Sequence, residues 1–244
     1  MVTGPTQAVI APVGGEVTLA CHLTPKMDAR TMFVTWHRID TGIVVHRYLG
    51  NQGQEEVEGP GYERRTQFRK EDIINGNVSL KILRVRPSDE GTYKCSFQSL
   101  SSVDEAQFSI RVAGTGSAPY IHIKEDETQG IQLVCSSSGW YPEPRVLWRD
   151  PGGHSLPPAS KKTSQEGDGL FAVETSIVLT ANSKEYVACF IQHLLFDLKM
   201  ETRISVADAL FPRANPWKVA VLVIGGLLAI TLPLAIYVIR TRRR

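Results

Sequence analysis

Apolar positions recur along this chain with a period of two. Val17, Leu19 and Cys21 alternate with polar neighbours; so do Val78, Leu80 and Ile82, then Ile131, Leu133 and Cys135, then Phe171, Val173, Thr175, Ile177 and Leu179. Successive side chains of an extended strand point to opposite faces, so each run offers one apolar face to a core and one polar face to water. In the run from Val78 to Ile82 the even-numbered residues are expected inward. One stretch breaks the rule: Val219 to Ile239 is 21 residues without a charge. As a helix rising 1.5 Å per residue it covers about 30 Å, the thickness of a bilayer core. Pro233 is tolerable inside such a helix, and Trp217 and Tyr237 stand near its ends, where amphipathic rings prefer to lie. Its length, flanks and position set aside the alternative of a buried core helix. The pattern predicts an all-β protein followed by a single transmembrane α-helix.

The strands are punctuated by a recognisable corner. Asp89-Glu90-Gly91-Thr92-Tyr93-Lys94-Cys95 reads Asp-x-Gly-x-Tyr-x-Cys, the entry to strand F of an immunoglobulin-type sandwich. Tyr93 is placed to fold its hydroxyl back onto the corner backbone while Cys95 faces the core. Upstream, Cys21 closes strand B and Trp36 stands at the strand C position that packs on the disulfide. The separation of Cys21 from Cys95 leaves room for strands C′ and C″ of a variable-type domain, and Val44–Tyr48 fits C′. Arg65, ahead of strand D, is expected to form a structural ion pair with Asp89 at the sandwich base. A second set follows, with Cys135 in strand B, Trp148 in strand C and Cys189 in strand F, at the shorter spacing of a constant-type domain without the C′–C″ excursion. Val187 stands where the corner tyrosine belongs, so no standard tyrosine corner is expected there. The chain therefore reads as two tandem sandwiches, V-type over residues 5–112 and C-type over 120–207. An elbow linker of small residues joins them at 113–119. A stalk at 208–218, the helix at 219–239 and a basic tail at 240–244 complete it.

Composition narrows the function classes. Four cysteines allow three pairings, and sequential bridges Cys21–Cys95 and Cys135–Cys189 are expected over the interleaved alternatives. Such disulfides place most of the chain in an oxidising, extracellular compartment. The net charge of +2 hides an asymmetry, for the five basic residues beyond Pro216 face no acidic ones. Without them, 22 basic stand against 25 acidic residues, a net of −3. That balance excludes a nucleic-acid-binding surface. Residues 1–15 lack a basic segment followed by a long apolar run, so the chain reads as a mature or trimmed form. Asn77-Val78-Ser79 is the one acceptable glycosylation sequon, since Asn215 precedes proline. No Gly-x-Ser-x-Gly, His-Glu-x-x-His or phosphate loop occurs, so neither enzyme nor cofactor is expected. His37 and His46 on strands C and C′ make a poor metal site without a third ligand and are expected as exposed surface histidines. The terminal arginines read as a stop-transfer flank, ahead of recognition of anionic lipid.

What remains is recognition. Counting outward from the inward-facing Trp36 and Cys95, strand C presents Thr35, His37 and Ile39, and strand F presents Lys94, Ser96 and Gln98. His37, Ile39, Lys94 and Gln98 are the expected partner-binding patch on the G-F-C-C′ sheet.

The run Gly139-Trp140-Tyr141-Pro142-Glu143-Pro144-Arg145-Val146-Leu147-Trp148-Arg149-Asp150 resembles the constant-domain hallmark of the butyrophilins. So do Val112 to Pro119 at the elbow and Asp168 to Phe171 before strand E. Cys21 to Pro25 and Arg64-Arg65-Thr66 in the first domain are also similar to butyrophilin or butyrophilin-like sequence. Thr35 to Arg38 and Gly61 to Arg64 depart from the usual family pattern, near the receptor-facing sheet. Many butyrophilins also carry a cytoplasmic PRY-SPRY domain, and none follows Arg244, which suggests a short-tailed member or a shortened chain. The resemblance implies a type I plasma-membrane protein with its N-terminus outside, whose ectodomain modulates T-cell responses. Its partner would be a receptor on T cells or a partner butyrophilin, without catalysis and with homo- or heterodimers possible. The competing role is a structural or adhesive membrane subunit that pairs with itself or a sister butyrophilin.

Overall fold

The computed structural model describes residues 1–50, 56–126, 130–179 and 185–206, together with Ile224. The predicted transmembrane helix, stalk and basic tail lie outside the described residues. Among the described residues no helix is long and apolar enough to cross a membrane.

The first sandwich is built from ten strands: β1 (Val2–Thr3), β2 (Val9–Pro12), β3 (Glu16–Leu23), β4 (Phe33–Arg38), β5 (Val44–Tyr48), β6 (Val57–Glu58), β7 (Thr66–Arg69), β8 (Asn77–Leu83), β9 (Gly91–Gln98) and β10 (Val103–Ala113). One sheet runs β1-β3-β8-β7 and the other β2-β10-β9-β4-β5-β6. The pair β5 and β6 is the C′–C″ extension that makes this a variable-type domain. β1 pairs with His22 and Leu23 and lies ahead of residue 5. The alternation in β3 and β8 is realised as drawn from sequence: odd positions of β3 and even positions of β8 are buried. Cys21 and Cys95 bridge the sheets, with Trp36 fully buried alongside.

The second sandwich comprises β11 (Tyr120–Asp126), β12 (Gly130–Trp140), β13 (Arg145–Arg149), β14 (Ser155–Leu156), β15 (Ser160–Gln165), β16 (Phe171–Val178), β17 (Tyr186–Gln192) and β18 (Lys199–Ser205). Its sheets are β11-β12-β16-β15 and β14-β13-β17-β18, bridged by Cys135–Cys189. Here the structure corrects one expectation. The constant-type domain has a two-residue C′ strand, β14, beside β13. Leu156 gains a half-buried place on the core, and Asp150 closes the hairpin through its bonds with His154.

The elbow is more tightly built than a string of small residues suggests. Gly114 donates to the Tyr141 carbonyl at 2.7 Å and accepts from the Tyr141 amide at 3.1 Å. The Tyr141 ring packs on the core of the first domain. His193, fully buried, places Nε2 3.0 Å from the same Tyr141 carbonyl, while its Nδ1 accepts from Leu195 N–H. A side chain at Gly116 would put its Cβ 2.2 Å from Trp140 Nε1, so only glycine lets the linker lie against that ring.

Candidate functional site

The corner that organises the first domain is a sealed polar knot. Tyr93 Oη donates to the Asp89 carbonyl at 2.7 Å and accepts from Tyr62 Oη at 2.8 Å. Burial, then Tyr62, holds the Tyr93 phenol well above its ordinary value. Arg65 and Asp89 are both 3% exposed and face one another as an ion pair. The remaining Arg65 donors reach the carbonyls of Gly61, Leu83 and Arg84, and the Asp89 carboxylate also accepts from Arg86 N–H. Every donor of the guanidinium is thereby used. Such an arrangement shapes the fold and offers nothing to a ligand.

The outer face of the six-stranded sheet is the surface available for recognition, and its register sets the residues in rows. His37 lies opposite Lys94, and Lys94 opposite Gln107. One step up, Val57, Arg47, Thr35, Ser96 and Glu105 follow one another across β6, β5, β4, β9 and β10. Above that, Phe33, Gln98 and Val103 form a third row. Of the expected patch, His37 and Lys94 are thus brought side by side. Gln98 sits about 13 Å further along the strand, at roughly 3.3 Å per residue. Ile39 follows the end of β4 in a turn, where its amide donates to Thr92. It is 40% exposed but belongs to the lower rim.

Two residues behave differently from the sequence count. Thr35 points outward yet is buried, because Arg47 and Ser96 flank it. His46, expected as an exposed histidine, is buried. It pairs directly with the inward-facing Trp36, and its ring lies 5.8 Å from Phe68. Its Nδ1 is 3.0 Å from Thr66 Oγ1, whose hydroxyl in turn donates to Glu58, which puts the imidazole proton on Nδ1. Nε2 lies 3.3 Å from the Glu56 carboxylate without hydrogen-bond geometry. Burial pushes the imidazole below its ordinary value, and Glu56 and Glu58 oppose this.

On the face itself, Lys94 Nζ is bound to Glu105 at 2.8 Å. Burial, then Lys94 and Arg47, holds the His37 imidazole below its ordinary value, so it is neutral at physiological pH. Arg47 is the residue that counting from Trp36 and Cys95 did not reach. It is exposed, and among the described residues no acidic partner engages it. A phase count along β5 could have pointed it outward, but only the pairing with Thr35 places it beside the centre. Asn77, at the start of β8, is half-buried, and its amide donates to Asp72. Among the described residues no three His, Cys, Asp or Glu side chains converge to hold a metal.

Comparison with known proteins agrees with this architecture. The immunoglobulin V-set domain family matches residues 3–113, and the Butyrophilin subfamily 3 member A2-like Ig-C domain family matches residues 115–201. Butyrophilin-like protein 1 of Mus musculus is 38% identical over 219 residues, covering 90% of this chain and 43% of the relative. Butyrophilin subfamily 2 member A2 of Homo sapiens is 39% identical over 223 residues, covering 91% and 43%. The chain spans less than half the length of these curated relatives. The crystal structure of bovine butyrophilin superposes with a TM-score of 0.76 at 34% identity, over 84% of this chain and 97% of that one. A chain from the crystal structure of ICOS in complex with ICOS-L and an anti ICOS-L VNAR domain shares the fold, with a TM-score of 0.72 at 21% identity over 81% and 98%. With both domains matched in order, and with the Gly139–Asp150 run and both disulfides in place, the chain belongs to the butyrophilin family.

Proposed function

We propose that this chain is a single-pass cell-surface butyrophilin that modulates T-cell responses by binding a protein receptor, or a partner butyrophilin, through the outer sheet of its V domain. The observation that carries the reading is the outer face of β10-β9-β4-β5-β6, whose central rows are polar side chains over a closed core. Family membership and the uncharged run of residues 219–239 support a type I plasma-membrane location with the N-terminus outside. Binding and presentation, without catalysis, is the mechanism. Tetramers of residues 1–207 should stain a restricted T-cell subset, and His37→Ala/Gln98→Ala should weaken that staining. Staining of no lymphocyte, with binding instead to cells bearing the same chain or a related butyrophilin, would replace this reading with the adhesive-subunit one. An N-glycan on Asn77 belongs to the same reading, since it leaves the sheet opposite to β8 uncovered. Asn77→Gln should remove one glycan-sized mass step from the expressed chain, and an unchanged gel mobility would exclude it.

A further inference from the structure

From the cross-strand rows of the V domain we infer that Arg47 is the specificity-determining residue of the recognition face, and that it takes a carboxylate side chain from a protein partner. The inference rests on the proposed use of this face and names what the partner must present. Five side chains cross the face in one row: Val57, Arg47, Thr35, Ser96 and Glu105. Strands lie about 4.8 Å apart, so Arg47 and Glu105 are roughly 14 Å from each other, with only Thr35 and Ser96 between them. Thr35 is closed off between its neighbours and Ser96 is half-buried, so neither competes with Arg47 for a partner side chain. Charge on the face is unevenly spent. Glu105 is already bound by Lys94, and His37 beside them is held neutral. Arg47 is exposed, with no acidic partner among the described residues. A guanidinium offers a planar fork of donors, matched by a carboxylate and poorly matched by a neutral group.

The surroundings fit such a contact. Val57 is 49% exposed on one side of Arg47; Val103 and the fully exposed Leu100 stand at the opposite upper corner. Val57, directly across from Arg47, helps exclude water from the guanidinium once covered, and a shielded Arg pair is a frequent centre of binding energy. A second copy of this chain is a poorer occupant. A two-fold axis running along the strands between β4 and β9 would set Arg47 of one copy against Glu105 of the other, which Lys94 already neutralises. The occupant the charges favour is a different protein that brings its own Asp or Glu to Arg47.

The test uses cells displaying the full chain at matched surface levels, mixed with lymphocytes and scored for conjugates. Wild type, Arg47→Lys, Arg47→Ala and Arg47→Glu are compared, with Lys162→Glu on the exposed strand β15 as a charge control. The inference expects Arg47→Glu to fall to the level of cells lacking the chain. Arg47→Ala should lose most of the signal, Arg47→Lys should retain part, and Lys162→Glu should match wild type. Wild-type conjugates that persist with Arg47→Glu overturn the role of Arg47 and leave the recognition reading standing. An equal loss with Lys162→Glu also overturns it, since the effect is then one of net charge. No conjugates with wild type overturn the recognition reading itself, and this inference with it.

Discussion

Removal of the Asp89 carboxylate should be among the most damaging single changes to the V domain. Asp89→Ala leaves the Arg65 guanidinium buried with its counter-charge gone and two of its donors unpaired, and it strips Arg86 N–H of its acceptor. An exposed ion pair contributes at most about 1 kcal/mol. Breaking a buried one costs about 3–5 kcal/mol, because the surviving charge stays out of water. The pair here is sealed under the corner with each residue 3% exposed, so the larger figure applies. Against a typical domain stability of about 5–15 kcal/mol, that is a large share. At about 4 °C per kcal/mol for a domain of this size, the unfolding midpoint should fall by about 12–20 °C. The double variant Arg65→Met/Asp89→Ala removes both charges but leaves the carbonyls of Gly61, Leu83 and Arg84 without their donor. It should therefore cost less than the sum of the two single changes, with a coupling of about 2 kcal/mol or more in a double-mutant cycle. Urea unfolding followed by far-UV circular dichroism measures all four corners. A loss below about 1 kcal/mol for Asp89→Ala, or additive single changes, would refute the reasoning.

Two further expectations concern the core and the elbow. His46 binds a proton less readily in the folded domain than in the unfolded chain, because burial outweighs Glu56 and Glu58. Its contribution is therefore complete above the ordinary imidazole range and is lost as pH falls through that range toward the folded value. Unfolding free energy should decline between about pH 7.5 and pH 5.5, and His46→Gln should flatten that slope; a wild-type domain gaining stability on acidification would contradict the assignment. At the elbow, Gly116→Ala places a methyl 2.2 Å from Trp140 Nε1 and threatens the bond from that nitrogen to Ser137 Oγ. The variant should broaden the interdomain distance distribution in double electron–electron resonance and lower the midpoint of the C domain, whereas an unchanged distribution would show that the linker can move aside.

What could be read directly from the chain follows from local rules. Period-two alternation identifies β3, β8, β12 and β16 because a pleated strand sorts neighbours to opposite faces whatever it packs against. The corner at Asp89–Cys95 was legible because its turn, tyrosine and cysteine each act over a short range. For the same reason Val187, buried two residues before Cys189, could be read as leaving no tyrosine at the corner position of the second domain. The Gly139–Asp150 run was legible as a family mark, but its structural role was not. That role emerges only in the folded chain, where Tyr141 ties Gly114 and His193 together across the elbow.

The recognition face was only half legible. Counting from Trp36 and Cys95 names the outward residues of two strands but says nothing of how far each strand slides against the next. Register is decided by pairing across the whole sheet, and a bulge between Trp36 and His37 shifts it within β4 and β5. For that reason Thr35 is buried between Arg47 and Ser96, and His46 joined Trp36 and Phe68 inside. Ile39 fell to the lower rim, and Arg47 came to stand beside Thr35. Sequence by itself determined two disulfide-bridged sandwiches and which face of their main strands is apolar, since both follow from side-chain chemistry at fixed spacing. Tertiary structure alone decided which exposed charges meet on the sheet and which residues flank its centre, because that depends on neighbours brought together from strands far apart in the chain.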